Sequence, residues 1–446
     1  MYFKARPMKT KSPSGIKSHN KCKVIDFFSS RKFIFLSIKS GYKKRSNGKI
    51  SAKNLVLGFM IMVSKKRNTY ESWSQEISLL SGSIVSRQAI EERMRPETTT
   101  LLKLALEEIL KNDMQARSSQ QASKKFKHIK LEDSTVINLP EELSSAFPGN
   151  VSKGKKKSQA KIHALYDFTE NTFDYMNVHS FTQNDQSLSK ASIAYLNKGD
   201  LLLRDMGFLV LDALDKIQAN QACFISPKPF KINVYDPVTK ERIDLSKTLS
   251  KNGFFDRQVL ISNKHISMRL VVLPLPPDLV EEKRRKAHND RDKRLNHSKE
   301  YYQLLGYSIL LTNIPQSKCV AEEISKLYNL RWQIEIVFKS WKTGFSLEKL
   351  TPAKCNNPNR IYCMIYLWLM YILLFHTFWI NHNNAYLQKD ANLSIIKLAR
   401  FFSDNFMLII TEPDNTKIRT LMLLKCRYDN RNDRINLMQK FNKYVT

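Results

Sequence analysis

Ile361 to Ile380, IYCMIYLWLMYILLFHTFWI, is a run of twenty residues without a formal charge. It restricts the fold more strongly than any other stretch of the chain. A helix of that length and apolarity has two homes: a bilayer, or the centre of a core large enough to surround it. Tyr362, Tyr366, Tyr371, His376 and Thr377 lie along it, and its aromatic residues are spread throughout rather than gathered in two end belts. No second run of this kind follows. Residues 1–23 are basic and interrupted, without the apolar stretch of a secretory signal. We read the run as the core helix of a large domain, with no membrane; a basic protein anchored by 361–380 is the competing reading.

A chain of 446 residues can supply such a core and two or three domains. Its charge narrows the partners. Lysine and arginine total 73 against 41 acids, a net charge of +32. An excess of that size repels itself unless a polyanion is near, and nucleic acid is the leading one. Cys22, Cys223, Cys319, Cys355, Cys363 and Cys426 are scattered, with no CxxC pair. That excludes the usual disulfide framework and zinc patterns and fits reduced cysteines in the cytoplasm.

Pattern along the chain divides it. Residues 1–50 form a basic arm in which Asp26 is the only acid. Residues 51–125 read as helical, with Ser51 and Ser86 as N-caps. Leu79–Met94 has the outline of a helix-turn-helix, although two packed helices give the same pattern. The 115–125 stretch reads as a polar linker. From 126 the period shifts to strands: His128–Leu139, a Lys-rich loop over 149–158, a hairpin turning at Glu170-Asn171, then strand Asp200–Leu203, helix Val210–Ala219 and strand Ala222–Ile225. Prolines and short β-like runs mark 227–280, read as a β-rich insertion. Glu281–Glu300 reads as one highly charged helix, solvated or on DNA. Tyr307–Asn313 returns as a strand.

The stretch Tyr328–Lys342, YNLRWQIEIVFKSWK, reads as one helix, with Ser317 capping the region and Gly344 ending it. At about 100° per residue, Tyr328, Arg331, Glu335 and Lys342 share one narrow face beside an apolar stripe. Two acids upstream are placed by strands: Asp133, in LEDST, within or at the end of one, and Asp205, in LLLRDMGF, directly after another. Two such aspartates and a helix-borne glutamate can converge, and clustered carboxylates need a hard cation, Mg²⁺ or Mn²⁺. Two ions suit phosphoryl transfer. Arg331 and Lys342 would then hold phosphates, and Tyr328 would bond a phosphate or stack on a base. Singly, each residue has a plainer reading. Asp133 and Asp205 suit turns, and Glu335 suits a helix ion pair with Arg331 or Lys339. Trp332 and Trp341 read as packing groups.

The spacing Tyr-x2-Arg-x3-Glu-x6-Lys, with its flanking RWQIEIVFKSWK, resembles the YREK signature of bacterial DDE insertion-sequence transposases. Asp133 and Asp205 resemble the first two acids of that family, over a likeness spanning about 50–380. The resemblance implies an α/β fold with an RNase H-like mixed sheet, flanking helices and a helical N-terminal DNA-binding domain. It divides the core into 126–226 and 306–385, split by a β-rich insertion over 227–305, with 386–446 as a helical tail. It implies Asp133, Asp205 and Glu335 as catalytic ligands of two Mg²⁺ ions, for which Mn²⁺ can substitute, and Tyr328, Arg331 and Lys342 as DNA-binding residues. Double-stranded DNA, as transposon ends and target, is the implied partner. A homodimer would join two terminal inverted repeats for cut-and-paste transposition. The alternative is a catalytically inactive, transposase-derived DNA-binding protein.

Overall fold

The computed structural model describes residues 23–43, 50–115, 125–152, 155–289, 298–345, 347, 352, 354–387, 393–412 and 415–427. The chain opens with helices α1 (Lys23–Phe27), α2 (Arg31–Lys39), α3 (Ala52–Ser64), α4 (Tyr70–Ser81), α5 (Arg87–Glu91) and α6 (Pro96–Gln115). Ser30, Ser51, Thr69 and Ser86 each accept a hydrogen bond from the backbone N–H three residues on, so the expected caps at Ser51 and Ser86 are present. The basic arm expected over 1–50 is partly folded. Phe27, Phe28 and Phe33 make mutual ring contacts and are buried, which seats α1 and α2 in the core. The rest of the arm, 1–22 and 44–49, and the expected linker over 116–124 lie outside the described residues. The helix-turn-helix outline is only partly met. Gly82 ends α4 at a φ of 67°, but α5 has five residues, too short to lie along a groove.

A ten-stranded sheet follows. Strands β1 (Ile129–Leu139), β2 (Pro148–Ser152), β3 (Lys155–Asp167) and β4 (Thr172–Ser180) precede α7 (Asp185–Ile193). Then come β5 (Leu201–Arg204), α8 (Leu211–Ala219), β6 (Cys223–Pro227), β7 (Val234–Tyr235), α9 (Leu245–Asn252), β8 (Phe255–Ile261) and β9 (Ile266–Pro274). Helices α10 (Pro277–His288) and α11 (Lys299–Leu304) lead to β10 (Tyr307–Thr312). The order is β2-β3-β1-β5-β6-β10-β9-β8-β7, with β4 also paired to β3. β5 runs parallel to β1 and β6 parallel to β5; every other pairing is antiparallel.

Three expectations change here. The Lys-rich segment at 149–158 is not a loop: β2 and β3 pair across it, with 153–154 outside the described residues. Gly149 permits the pairing, because a Cβ there would meet the Lys157 carbonyl at 2.8 Å. The 227–305 segment is not set off from the core, since β9 pairs with β10 and β10 with β6, which extends the same sheet. Glu281–Glu300 is not one helix. α10 starts on Pro277, Ser298 caps α11, and 290–297 lie outside the described residues.

Helices α12 (Ala321–Asn329), α13 (Trp332–Gly344), α14 (Pro358–Leu387), α15 (Ile395–Asp404), α16 (Phe406–Thr411) and α17 (Thr416–Cys426) complete the described fold. Side chains alternate across β5: Leu201 and Leu203 join the core with α3, α6, α13 and α14, while Leu202 joins that with α7, α8 and α9. α14 contains the uncharged run and extends past both its expected ends. It is the one helix among the described residues long and apolar enough to cross a membrane, and 83% of its most apolar window is buried inside the protein. It packs against α3, α6, β4 and α15, as the core reading expects. The expected 51–125 domain therefore shares one core with the C-terminal helices.

Candidate active site

Parallel pairing between β1 and β5 sets the site. Glu132 and Arg204 are partners in register, and the next residue on each chain is an aspartate, Asp133 and Asp205. Asp205 is exposed at the mouth of a single 3₁₀ turn and makes no side-chain cap bond to it. α13 packs on β1 and brings in the third acid. Arg331 joins two of the acids: Nη1 lies 3.4 Å from Asp133 Oδ2, and Nη2 donates to Glu335 Oε1 at 2.9 Å. Arg331 is 9% exposed, Asp133 19% and Glu335 39%, so the cluster grades from buried to open.

The expected single helix from Tyr328 to Lys342 is two. The Leu330 N–H donates to Leu327 O and the Arg331 N–H to Tyr328 O, three-residue steps that tighten the backbone between α12 and α13. Val320, not Ser317, precedes α12, and Glu323 accepts from its N–H at 3.1 Å. Gly344 does end α13. Despite the joint, Tyr328 stays with the cluster, its ring centroid 5.9 Å from the Arg331 guanidinium. Lys342 does not. It lies two turns beyond Glu335, roughly 10 Å along the axis, and is half-buried. Trp341 is a packing group as expected, but Trp332 is exposed beside Arg331.

Burial pushes the Asp133 carboxyl up to about 6. The Ser134 N–H and Arg331 oppose that shift, while Asp205 and Glu335 add to it, so Asp133 senses both other acids. Burial likewise raises the Tyr328 phenol to about 12, against Arg331 and with Asp205. A pH dependence of stability follows. Asp133 holds its proton to about pH 6 when folded and releases it near its ordinary value of 3.8 when unfolded. The unfolded chain thus loses this proton first, and stability falls as pH rises from about 4 through 6. In chelator, the urea midpoint of Asp133→Asn relative to wild type should rise between about pH 4 and pH 7. An unchanged difference would place Asp133 in a less buried setting.

The sequence reading missed a buried network behind the acids. Glu132 Oε2 accepts from Arg204 Nε at 2.8 Å and from Nη2, while Oε1 accepts from His163 Nε2 at 3.0 Å and from Ser192 Oγ. All four residues are fully buried. Opposite charges beside two aspartates, on strands otherwise rich in Ile and Leu, were the available signal. Asp185, at the start of α7, was missed too. It accepts from Lys161 Nζ at 2.9 Å and Ser134 Oγ at 3.1 Å, and a Cβ on Gly207 would lie 3.2 Å from its Oδ2.

All three candidate ligands are carboxylates, the donors that hard divalent cations select. Among the described residues no three His, Cys, Asp or Glu groups close around one ion. Arg331 lies between Asp133 and Glu335 instead. The raised Asp133 carboxyl, crowded by two acids, is nonetheless a group whose ionisation a nearby cation would favour. The donor chemistry fits a metal.

A chain of net charge +32 favours a polyanionic partner. Residues 125–374 match the family described as "Transposase DDE domain", and the chain belongs to that family. It is a DNA transposase, an enzyme that cleaves and transfers DNA, and its family uses divalent metal ions. The transposase for insertion sequence element IS231B of Bacillus thuringiensis subsp. berliner is 25% identical over 417 residues, covering 87% of this chain and 86% of the relative. The IS231E transposase of B. thuringiensis subsp. finitimus is 26% identical over 375 residues, 78% of each chain. The IS1151 transposase of Clostridium perfringens is 24% identical over 289 residues, covering 59% and 60%. The piggyBac transposase, solved in a synaptic complex with hairpin DNA, aligns with a TM-score of 0.44 at 11% identity over 95% of this chain and 85% of that one.

Proposed function

We propose that this transposase is of the YREK type and acts on the terminal inverted repeats of its own insertion sequence by cut-and-paste. The observation that carries the reading is the cluster itself: Arg331 bridging Asp133 and Glu335, with Asp205 following the last β1–β5 pair, as Asp133 does, and acting electrostatically on Asp133. Asp133, Asp205 and Glu335 would hold two Mg²⁺ ions, with Mn²⁺ able to substitute. Bound there, the ions supply an activated water or 3′-hydroxyl and steady the leaving oxygen. Arg331, already among the acids, neutralises phosphate charge near the scissile bond. Tyr328 offers a hydroxyl or a ring face to the DNA end. Lys342 reaches a phosphate further along the strand, as its distance from Glu335 supports. The strand order β4-β3-β1-β5-β6, with its antiparallel and then parallel pairings, supports the RNase H-like reading of the core.

Two ends require two protomers, so the working form is a homodimer on double-stranded DNA, in the cytoplasm of a prokaryote. The test is incubation of the full chain with a duplex carrying its flanking inverted repeat. Mg²⁺-dependent nicking at the element boundary is the expected result. Specific binding without cleavage in either Mg²⁺ or Mn²⁺ would favour the inactive, DNA-binding derivative instead.

A further inference from the structure

We propose that Glu132 and Arg204 are positioning residues, a buried ion pair that fixes the spacing of Asp133 and Asp205. The inference rests on the metal-site reading above and deepens it. Glu132 and Arg204 are the last paired positions of the β1–β5 ladder. Beyond them β5 stops and the chain turns into the 3₁₀ segment, so no further ladder pairing ties Asp205 to Asp133. The side-chain pair takes over at that point. Glu132 Oε2 receives two guanidinium N–H groups of Arg204, a two-point contact that fixes orientation as well as distance.

The surroundings hold each partner. His163 on β3 and Ser192 on α7 occupy the other Glu132 oxygen. Ser189 on α7 accepts from Arg204 through its Oγ at 2.9 Å. The network thus locks β3, β1, β5 and α7 into one arrangement. Each aspartate is the next residue along the backbone, so a shift at Glu132 or Arg204 passes directly to it.

Stability alone is a weak reason for such a pair. Removing two charges from water is costly, and well-packed apolar replacements of buried pairs are often neutral or stabilising. Arg204 Nη1 is buried without a hydrogen-bond partner among the described residues, so the guanidinium is not fully compensated. What the pair provides and an apolar pair does not is a defined separation between two backbones. Ligands orienting a cation depend on such supporting contacts, whose loss typically lowers metal affinity about 10–100-fold.

The test measures Mn²⁺ binding to the full-length protein by electron paramagnetic resonance, alongside thermal melting and Mn²⁺-dependent cleavage. The apolar double variant Glu132→Leu/Arg204→Met removes the partners of buried His163, Ser192 and Ser189, so its melting temperature should fall, and Mn²⁺ binding is read well below that temperature. The variant should need about tenfold or more Mn²⁺ for half-saturation, with DNA-end binding in chelator unchanged. Should that variant fail to fold, Glu132→Gln preserves side-chain shape and should show the same Mn²⁺ shift, and Glu132→Asp a smaller one. Wild-type Mn²⁺ affinity in the folded double variant or in Glu132→Gln overturns the inference. Failure of the wild-type protein itself to bind Mn²⁺ overturns the metal-site reading, and the inference with it.

Discussion

Asp133→Asn, Asp205→Asn and Glu335→Gln should each remove metal-dependent cleavage of the cognate end while leaving end binding intact. Each change keeps the side chain's size and replaces an anionic oxygen with a neutral amide. A cation between phosphate and protein needs that charge, so the lost stabilisation falls on the reacting oxygens. Removing a single group that stabilises developing charge lowers rates by about 10²–10³-fold, and a direct metal ligand should cost at least as much. Binding in chelator should hold or tighten, because each variant removes a negative charge from a surface that meets phosphate. Nicking and mobility-shift measurements on one duplex separate the two effects. Full cleavage by any of the three variants removes that residue from the site, and loss of both properties together points to misfolding.

The second large effect concerns two tryptophans nine residues apart on α13. Trp341→Ala should destabilise the protein by about 3–5 kcal/mol, the range for deleting a large buried aromatic side chain. Trp341 has no exposed surface and makes ring contacts with Phe173 on β4, Phe338 on its own helix and Trp368 on α14. Its loss opens a cavity where sheet, α13 and α14 meet. Trp332→Ala, at a residue 56% exposed, should change stability by no more than about 0.5 kcal/mol. Urea unfolding of both variants with unchanged slopes tests the contrast. A comparable loss in both would mean that Trp332 also anchors the helix. Because α13 carries Glu335, Trp341→Ala should also impair cleavage near its lowered melting temperature, whereas Trp332→Ala should leave that temperature unchanged.

Much of this arrangement was legible from local pattern. Ser51 and Ser86 announced their helices because an N-cap acts through its own side chain. The turn at Asn171 has a φ of 57°, a conformation asparagine tolerates, and it joins β3 to β4 where the hairpin was expected. Tyr328, Arg331 and Glu335 meet in space largely as their helical phase implies. What was not legible depends on long-range pairing. No periodicity distinguishes an inserted β-rich unit from strands that extend the existing sheet, because both alternate alike. The joint at Leu330 and Arg331 carries no Gly or Pro to mark it. Glu132 and Arg204 are separated by the whole of β2 to α7, so neither identifies the other until the parallel register is known.

The buried helix α14 also has a consequence for biosynthesis. Its partners α3 and α6 precede it by 243 residues or more (358−115), so they leave the ribosome well before α14 does. Until then the apolar faces of α3 and α6 lack the helix that covers them, and contacts of such sequence separation form slowly. The nascent chain therefore passes through a prolonged stage with exposed apolar surface, the condition under which aggregation competes with folding and chaperones engage. Chains released before α14 is made should be insoluble rather than simply inactive. Synthesis that stops short of residue 358 would yield no partially working nuclease, so production of α14 and acquisition of a stable fold are coupled in this transposase.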